Sequence, residues 1–462
     1  MRRFLILLII ILVCSMLFVS CSSYGLMDAY SDMGKSFFVG FASCEIELPI
    51  DSDEPLYIAG YHSACEVEGV LDIPKAKALW IDTGDKGILL IGIDCVGLGS
   101  GTVDSIRREL ADFCRESGCI SVNVYATHTH AGIDTLGLWG PIAVDGKNSD
   151  YMANLINAAV SASKAAYSDR SSGRIYYGNV VTDDILYDSR NPVEFDSKLH
   201  QIRFVSDDAS KNGVRLLSFS AHAESLRGDN KLLSADFPSA LSKLINESTG
   251  DDVMYMPSAI GGLIMTKEFV KPFDAVENMR ITAKTLADAV LTVKNETELE
   301  VSFSVASVEL EIPLDNTYFF FAKFLGILDN EIKQGESETG YILKSELSVL
   351  NIGAVTFALV PGEIFPELVS GAGLASGDPE ALESIAEHYG IEKLLVLGLC
   401  NDELGYIIPP SDFMLNEELP YIETVADESG EDHYEETNSV GIGTAEIISK
   451  AFERALRKLS GN

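Results

Sequence analysis

Basic residues are scarce in this chain. Its 462 residues hold 34 Lys and Arg against 70 Asp and Glu, a formal net charge of −36. That balance excludes a nucleic-acid binder, because almost nothing here neutralises phosphate. It equally excludes adsorption to anionic lipid by charge alone. The excess acid reads as solvating surface and does not identify a substrate. No CxxC occurs and the cysteine spacings are scattered, so a thiolate zinc site is not expected. Beyond the N-terminus no run approaches the ~20 apolar residues that span a bilayer. Repeats, low-complexity tracts and long linkers are missing too. Histidine is rare, seven in all, so any two at a meaningful spacing carry weight.

What is present is a globular composition, 47% hydrophobic, long enough for one large domain or two to three smaller ones. Arg2-Arg3 precede an apolar run from Phe4 to about Val19, followed by Ser20-Cys21-Ser22-Ser23. This resembles a bacterial lipoprotein signal, with Cys21 as the lipidated first mature residue. The expectation is a signal over 1–21, a tether over 22–35 and a folded domain over 36–462, exported and lipid-anchored to the cell envelope. An ordinary secretory signal or an uncleaved anchor is the alternative. Of the remaining cysteines, Cys114 and Cys119 are close enough along the chain to be a disulfide candidate.

Periodicity alternates between strands and helices. Lys86–Asp94, Ile120–Tyr125, Arg174–Gly178, Gln201–Val205, Val214–Ser220, Val349–Leu359 and Leu394–Leu399 read as strands. Asp104–Glu116, Tyr151–Tyr167, Phe237–Ile245, Met279–Thr292 and Gly441–Leu459 read as helices. A strand-rich stretch follows Leu299 and runs to Ile312, with a weak boundary near 298. The class expected is α/β: layered mixed β-sheets flanked by helices, with a site at strand ends.

Thr127-His128-Thr129-His130 follows the strand at 120–125. Side chains two apart at a strand end share a face, so both imidazoles can reach one point. Imidazole is the common transition-metal ligand and the near-neutral proton carrier. Three more polar groups stand at probable strand ends: His222 in Ser220-Ala-His-Ala223, Glu363 after Val360-Pro-Gly362, and Tyr406 after Asn401-Asp-Glu-Leu-Gly405. That is where α/β folds gather ligand-binding groups. Taken singly they are a half-buried imidazole, a turn carboxylate and a core aromatic; one site uniting them would give them meaning.

At these motifs the chain resembles the neutral/alkaline, non-lysosomal ceramidase family of zinc-dependent amidases. The match runs from about 38 to 459. It covers Val39-Gly-Phe-Ala42, Ala59-Gly-Tyr61, Ile93-Asp94, Thr127–Gly132, Ser189-Arg-Asn-Pro192, and His222 with Ser234-Ala-Asp236. Pro361-Gly-Glu363, Gly405-Tyr406 and Tyr434-Glu435 complete it. The resemblance implies Zn2+ held by His128, His222, Glu363 and Tyr406. It implies His130 for proton transfer or the substrate oxygen, Arg190 for the developing carbonyl charge, and Asp94 as a residue behind the ligands. The chemistry coheres: two imidazoles plus an anionic oxygen leave zinc a position for water, whose pKa it lowers towards ~7, with Tyr406 a weak, labile fourth ligand.

The chain departs from the family at Gly261–Thr266, where Ile264 stands in place of a catalytic serine. That bears on ceramide as substrate and on any serine-assisted step, since the nearby hydroxyls Ser258 and Thr266 do not occupy the motif position, but leaves the metal-hydroxide route. The family's C-terminal immunoglobulin-like domain is expected to be absent. The expected function is a zinc-dependent amide hydrolase of an N-acyl sphingoid or other N-acyl lipid-like substrate. A non-catalytic zinc-containing ligand-binding lipoprotein, and an esterase or deacetylase of envelope glycoconjugates, are the alternatives. The aromatic stretch Tyr318–Leu328 is expected either in the core or lining an acyl-chain groove.

Overall fold

Residues 27–49, 54–182, 184–426, 430 and 432–461 are described by a computed structural model. The expected signal segment, with Cys21, lies outside them. Omitting strands of two or three residues and helices shorter than eight, the elements are β1 Tyr30–Met33, β2 Phe37–Glu45, β3 Lys75–Asp82, β4 Gly87–Ile93, α1 Ser100–Ser117, β5 Cys119–Ala126 and α2 Ser149–Asp169. Then come β6 Ser171–Val181, β7 Lys198–Ser206, β8 Val214–Phe219, α3 Phe237–Thr249, β9 Asp252–Pro257 and α4 Ala275–Val290. The last are β10 Ser302–Pro313, α5 Thr317–Phe324, β11 Tyr341–Ile352, β12 Val355–Leu359, β13 Leu394–Leu397 and α6 Thr444–Ser460.

Two mixed sheets form, in the orders β9-β8-β7-β6-β2-β3-β4-β5 and β1-β10-β11-β12-β13. The pairs β4–β5, β8–β9 and β12–β13 are parallel. Period-two alternation decides the layers. On β4, Ile88 and Leu90 face the second sheet, whereas Leu89, Ile91 and Ile93 face α1 and α2. On β12, Val355, Phe357 and Leu359 meet the first sheet, whereas Ala358 turns towards Phe452 and Ile448 of α6. The result is four layers: helices, large sheet, small sheet, helix. Strands covered on both faces read as continuous apolar runs, as β4 does. The α/β class with layered mixed sheets is as expected.

Three local expectations are corrected. Residues 22–35 are not all tether: β1 pairs with Ser302–Val305 along the edge strand β10, which covers exposed backbone groups. Val349–Leu359 is not one strand but the two arms of a hairpin. Its two-residue turn, Gly353-Ala354, uses a glycine at φ 55°. Cys114 and Cys119 are adjacent free thiols. The weak boundary near 298 marks where the chain passes from one sheet to the other, and the two sheets share a core. No helix among the described residues is long and apolar enough to cross a membrane.

Candidate metal centre and active-site cavity

The candidate residues follow the C-terminal ends of four strands: β5 at Ala126, β8 at Phe219, β12 at Leu359 and β13 at Leu397. Short parallel bridges join the segments beyond those ends. Thr129 pairs with Ala223, which brings His128 and His130 beside His222. Glu363 pairs in register with Tyr406. Asn401 ties this second group to β5, its N–H donating to Val124 O at 2.7 Å and its side-chain oxygen accepting from Val124 N–H at 2.9 Å. Asp236 caps α3 and braces the loop after His222, accepting the Ser225 and Leu226 amides at 3.0 and 2.9 Å. That is the physical content of the Ser234-Ala-Asp236 motif.

His128 has a left-handed backbone, φ 62°. The two imidazoles of 128 and 130 therefore converge through a kink after the strand, not through regular alternation. Their Nε2 atoms are 3.1 Å apart. Glu363 Oε2 lies 2.9 Å from His222 Nε2 and 3.3 Å from His128 Nε2. The other ring nitrogens face backbone carbonyls: His128 Nδ1 to Val96 O at 2.6 Å and His222 Nδ1 to Ile264 O at 2.8 Å. A carbonyl only accepts, so each Nδ1 bears the proton, and each neutral ring presents a bare Nε2 lone pair. Two lone pairs and a carboxylate oxygen then face one another at about hydrogen-bond distance. Acceptors gathered this way need a cation between them, a proton or a metal ion. A buried nitrogen and oxygen donor set with its imidazoles oriented by backbone carbonyls suits zinc. His128, His130 and His222 together can hold a metal, their nearest ring nitrogens lying within 4.8 Å of one another.

The electrostatics agree. Burial opposes charge on His222, but Glu363 outweighs it and raises the imidazole's pKa. Burial pushes Glu363 up, yet His128 and His222 pull it far below the usual carboxylate range. Burial, then His128 and His222, hold His130 well below an ordinary histidine, so it is neutral. Burial and Glu363 push the Tyr406 phenol far up.

His130 is packed by Tyr61, edge-on at 5.3 Å between centroids. Its Nδ1 makes no hydrogen bond and lies 3.6 Å from Glu224 Oε2, which accepts the Tyr61 hydroxyl. Gly60 has φ 111°, and a Cβ there would sit 2.6 Å from His130 Cγ.

These groups line one cavity of about 550 Å³. Its polar end carries His128, His130, His222, Glu224, Glu363, Glu403 and Tyr406; its walls include Leu136, Leu138, Trp139, Phe319, Leu328 and Leu343. The aromatic stretch divides: Tyr318 and Phe319 line the cavity, while Phe321 and Phe324 are exposed.

Arg190 is not on the cavity wall. Its Nε and Nη2 engage both oxygens of buried Glu435, and Nη2 also donates to Asp432 O at 2.8 Å. Its guanidinium lies 5.8 Å from the ring centroid of Tyr434, which does line the cavity. Asp94 accepts from Lys75 N–H at 3.0 Å and from the Thr127 hydroxyl at 3.3 Å. It thus steadies the strand end before His128 and makes no hydrogen bond to an imidazole. Ile264 gives its carbonyl to both the amide and Nδ1 of His222, and its side chain sits in the core under α3 and α4. Leu263 and Met265, on either side of it, line the cavity.

Sequence reasoning gave no role to Glu224, Glu403 or Tyr61. All three stand inside or beside segments quoted above, Glu224 two residues after His222. No local pattern marks them: Glu224 and Glu403 adjoin the bridged segments, and Tyr61 follows the antiparallel bridge between Ile58 and Ile133.

No protein-family profile and no curated protein matches this chain. Solved structures do. A neutral ceramidase from Pseudomonas aeruginosa superposes with a TM-score of 0.70 at 14% identity, over 92% of this chain and 74% of that one. A ceramidase complexed with C2 gives 0.68 at 14% identity, over 92% and 75%. The chain therefore has the fold of these ceramidases.

Proposed function

We propose that this protein is a zinc-dependent hydrolase of an amide bond, ceramidase-like, acting on an N-acyl sphingoid or other N-acyl lipid-like substrate. The observation that carries this reading is the cluster of His128 Nε2, His222 Nε2 and Glu363 Oε2 at the polar end of an apolar-walled cavity. These three residues would hold the zinc, with the phenol oxygen of Tyr406, in register beside Glu363, as a fourth ligand. Bound there, zinc supplies a Lewis acid for the carbonyl and makes water nucleophilic at neutral pH. His130, neutral and adjacent, takes a proton from the attacking water and returns it to the leaving amine. Tyr434 faces the carbonyl, and Arg190 acts on it from behind the wall. The apolar wall seats the acyl chain and excludes water. Export, with lipid attachment at Cys21, would set the enzyme at the cell envelope beside lipid substrates.

The test is to purify the protein, count bound metal, and assay N-acyl amides with and without chelator. Stoichiometric zinc and chelator-sensitive amide hydrolysis are expected. Absence of zinc, or activity indifferent to chelator, contradicts the proposal. The apolar segment Leu263-Ile264-Met265 favours a second reading, a ligand-binding protein that does not turn over. Turnover lost in His130→Ala would exclude it.

A further inference from the structure

Among the described residues, three carboxylates, Glu224, Glu363 and Glu403, line the cavity. Two are engaged. Glu363 faces the imidazoles, and Glu224 accepts the Tyr61 hydroxyl with Arg227 Nη1 3.6 Å away. Glu403 differs. Its Oε1 accepts the Gly405 amide at 2.9 Å, and its own amide donates to Asp402 Oδ1 at 2.9 Å, so the residue is fixed from both sides. Its Oε2 is buried and has no hydrogen-bond partner. Gly97 makes the room: a Cβ there would lie 2.9 Å from Glu403 Cγ and 3.2 Å from Oε2. An orphan acceptor is costly to bury unless something that enters the cavity pairs with it.

We propose that Glu403 is a specificity-determining residue that recognises a hydrogen-bond donor, hydroxyl or ammonium, on the head group of the ligand. The inference deepens the proposed function and rests on it only in taking the ligand to be an N-acyl amphiphile.

The test is calorimetric binding to the zinc-loaded His130→Ala protein, in which turnover is blocked. Three lauroyl amides are compared whose heads end in a hydroxyl, an ammonium or a methyl ether. The hydroxyl or the ammonium compound should bind about tenfold or more tighter than the ether, the size of one hydrogen bond. An ammonium above the hydroxyl names a cationic head; parity names a neutral one. In Glu403→Gln the Gly405 amide still needs an acceptor, so the carboxamide oxygen stays there and its NH2 turns to the cavity. The donor preference should vanish and the ether should gain. Gly97→Ala, which displaces the Glu403 side chain, should also lose the preference. Equal binding of all three heads, no binding of any, or an unchanged ranking in Glu403→Gln overturns the inference. Should the ranking hold while the wild type hydrolyses no amide, the proposed function fails and this assignment stands.

Discussion

Gly60→Ala separates the proposed role of His130 from that of the proposed zinc ligands. At φ 111° a side chain is strained, at a cost of about 1–3 kcal/mol. The three atoms that a Cβ there would meet first all belong to His130, at 2.6, 2.7 and 2.8 Å. Carbon atoms settle at about 3.5–4.0 Å, so the ring must retreat by about 1 Å. A misplacement of that size in a catalytic group costs up to about 10²-fold, or ~2.7 kcal/mol of barrier. The variant should therefore fold with a lowered melting temperature and keep its zinc. Its kcat/KM on an N-acyl amide should fall by about 10²-fold. Zinc by elemental analysis and kinetics on the same preparation give the answer. Wild-type kcat/KM would refute the reasoning. So would zinc lost in proportion to activity, because His130 would then be a ligand.

Glu363→Gln removes the anionic donor that lies 2.9 and 3.3 Å from the two imidazoles. The wild type at zinc 100-fold above Kd gains about 2.7 kcal/mol of stability, and calorimetry should show that gain absent from the variant at the same zinc concentration. Arg190→Lys keeps the charge but cannot span both oxygens of Glu435. A kcat fall of about tenfold with zinc intact is expected from steady-state kinetics, as Tyr434 loses its support. Asp402 is pushed from 3.8 to about 7 by burial, against the pull of the Glu403 and Ser100 amides on its carboxylate. The native state then holds a proton that the unfolded chain releases near pH 4, so stability falls as pH rises from about 4 to 7. Asp402→Asn lacks that penalty and still accepts through Oδ1. Thermal denaturation should find the variant's melting temperature gaining on the wild type's between pH 5 and pH 8.

Much of the layer architecture is legible in periodicity, because strands buried on both faces, such as β4, leave continuous apolar runs. The hairpin at Gly353 was not, since its two arms are equally apolar and only one glycine marks the turn. β1 was hidden because Tyr30-Ser-Asp-Met33 has no apolar alternation; it is held by edge pairing. The metal-centre residues are visible as polar groups after strands, yet their convergence depends on bridges between Thr129 and Ala223 and between Glu363 and Tyr406, which no local pattern encodes. Arg190 shows the limit of motif transfer. The motif names the residue, but its partner, Glu435, is 245 positions away and decides where the charge sits.

The most direct measurement is a crystal structure of the zinc-loaded protein with anomalous data at the zinc edge. The account predicts one ion bonded at about 2.0–2.2 Å to His128 Nε2, His222 Nε2 and a Glu363 oxygen, with His130 beside it and unbonded. Zinc bound instead through His130 with Glu363 outside its coordination, or held only by the separate His433, Glu435 and Glu436 group, would contradict it.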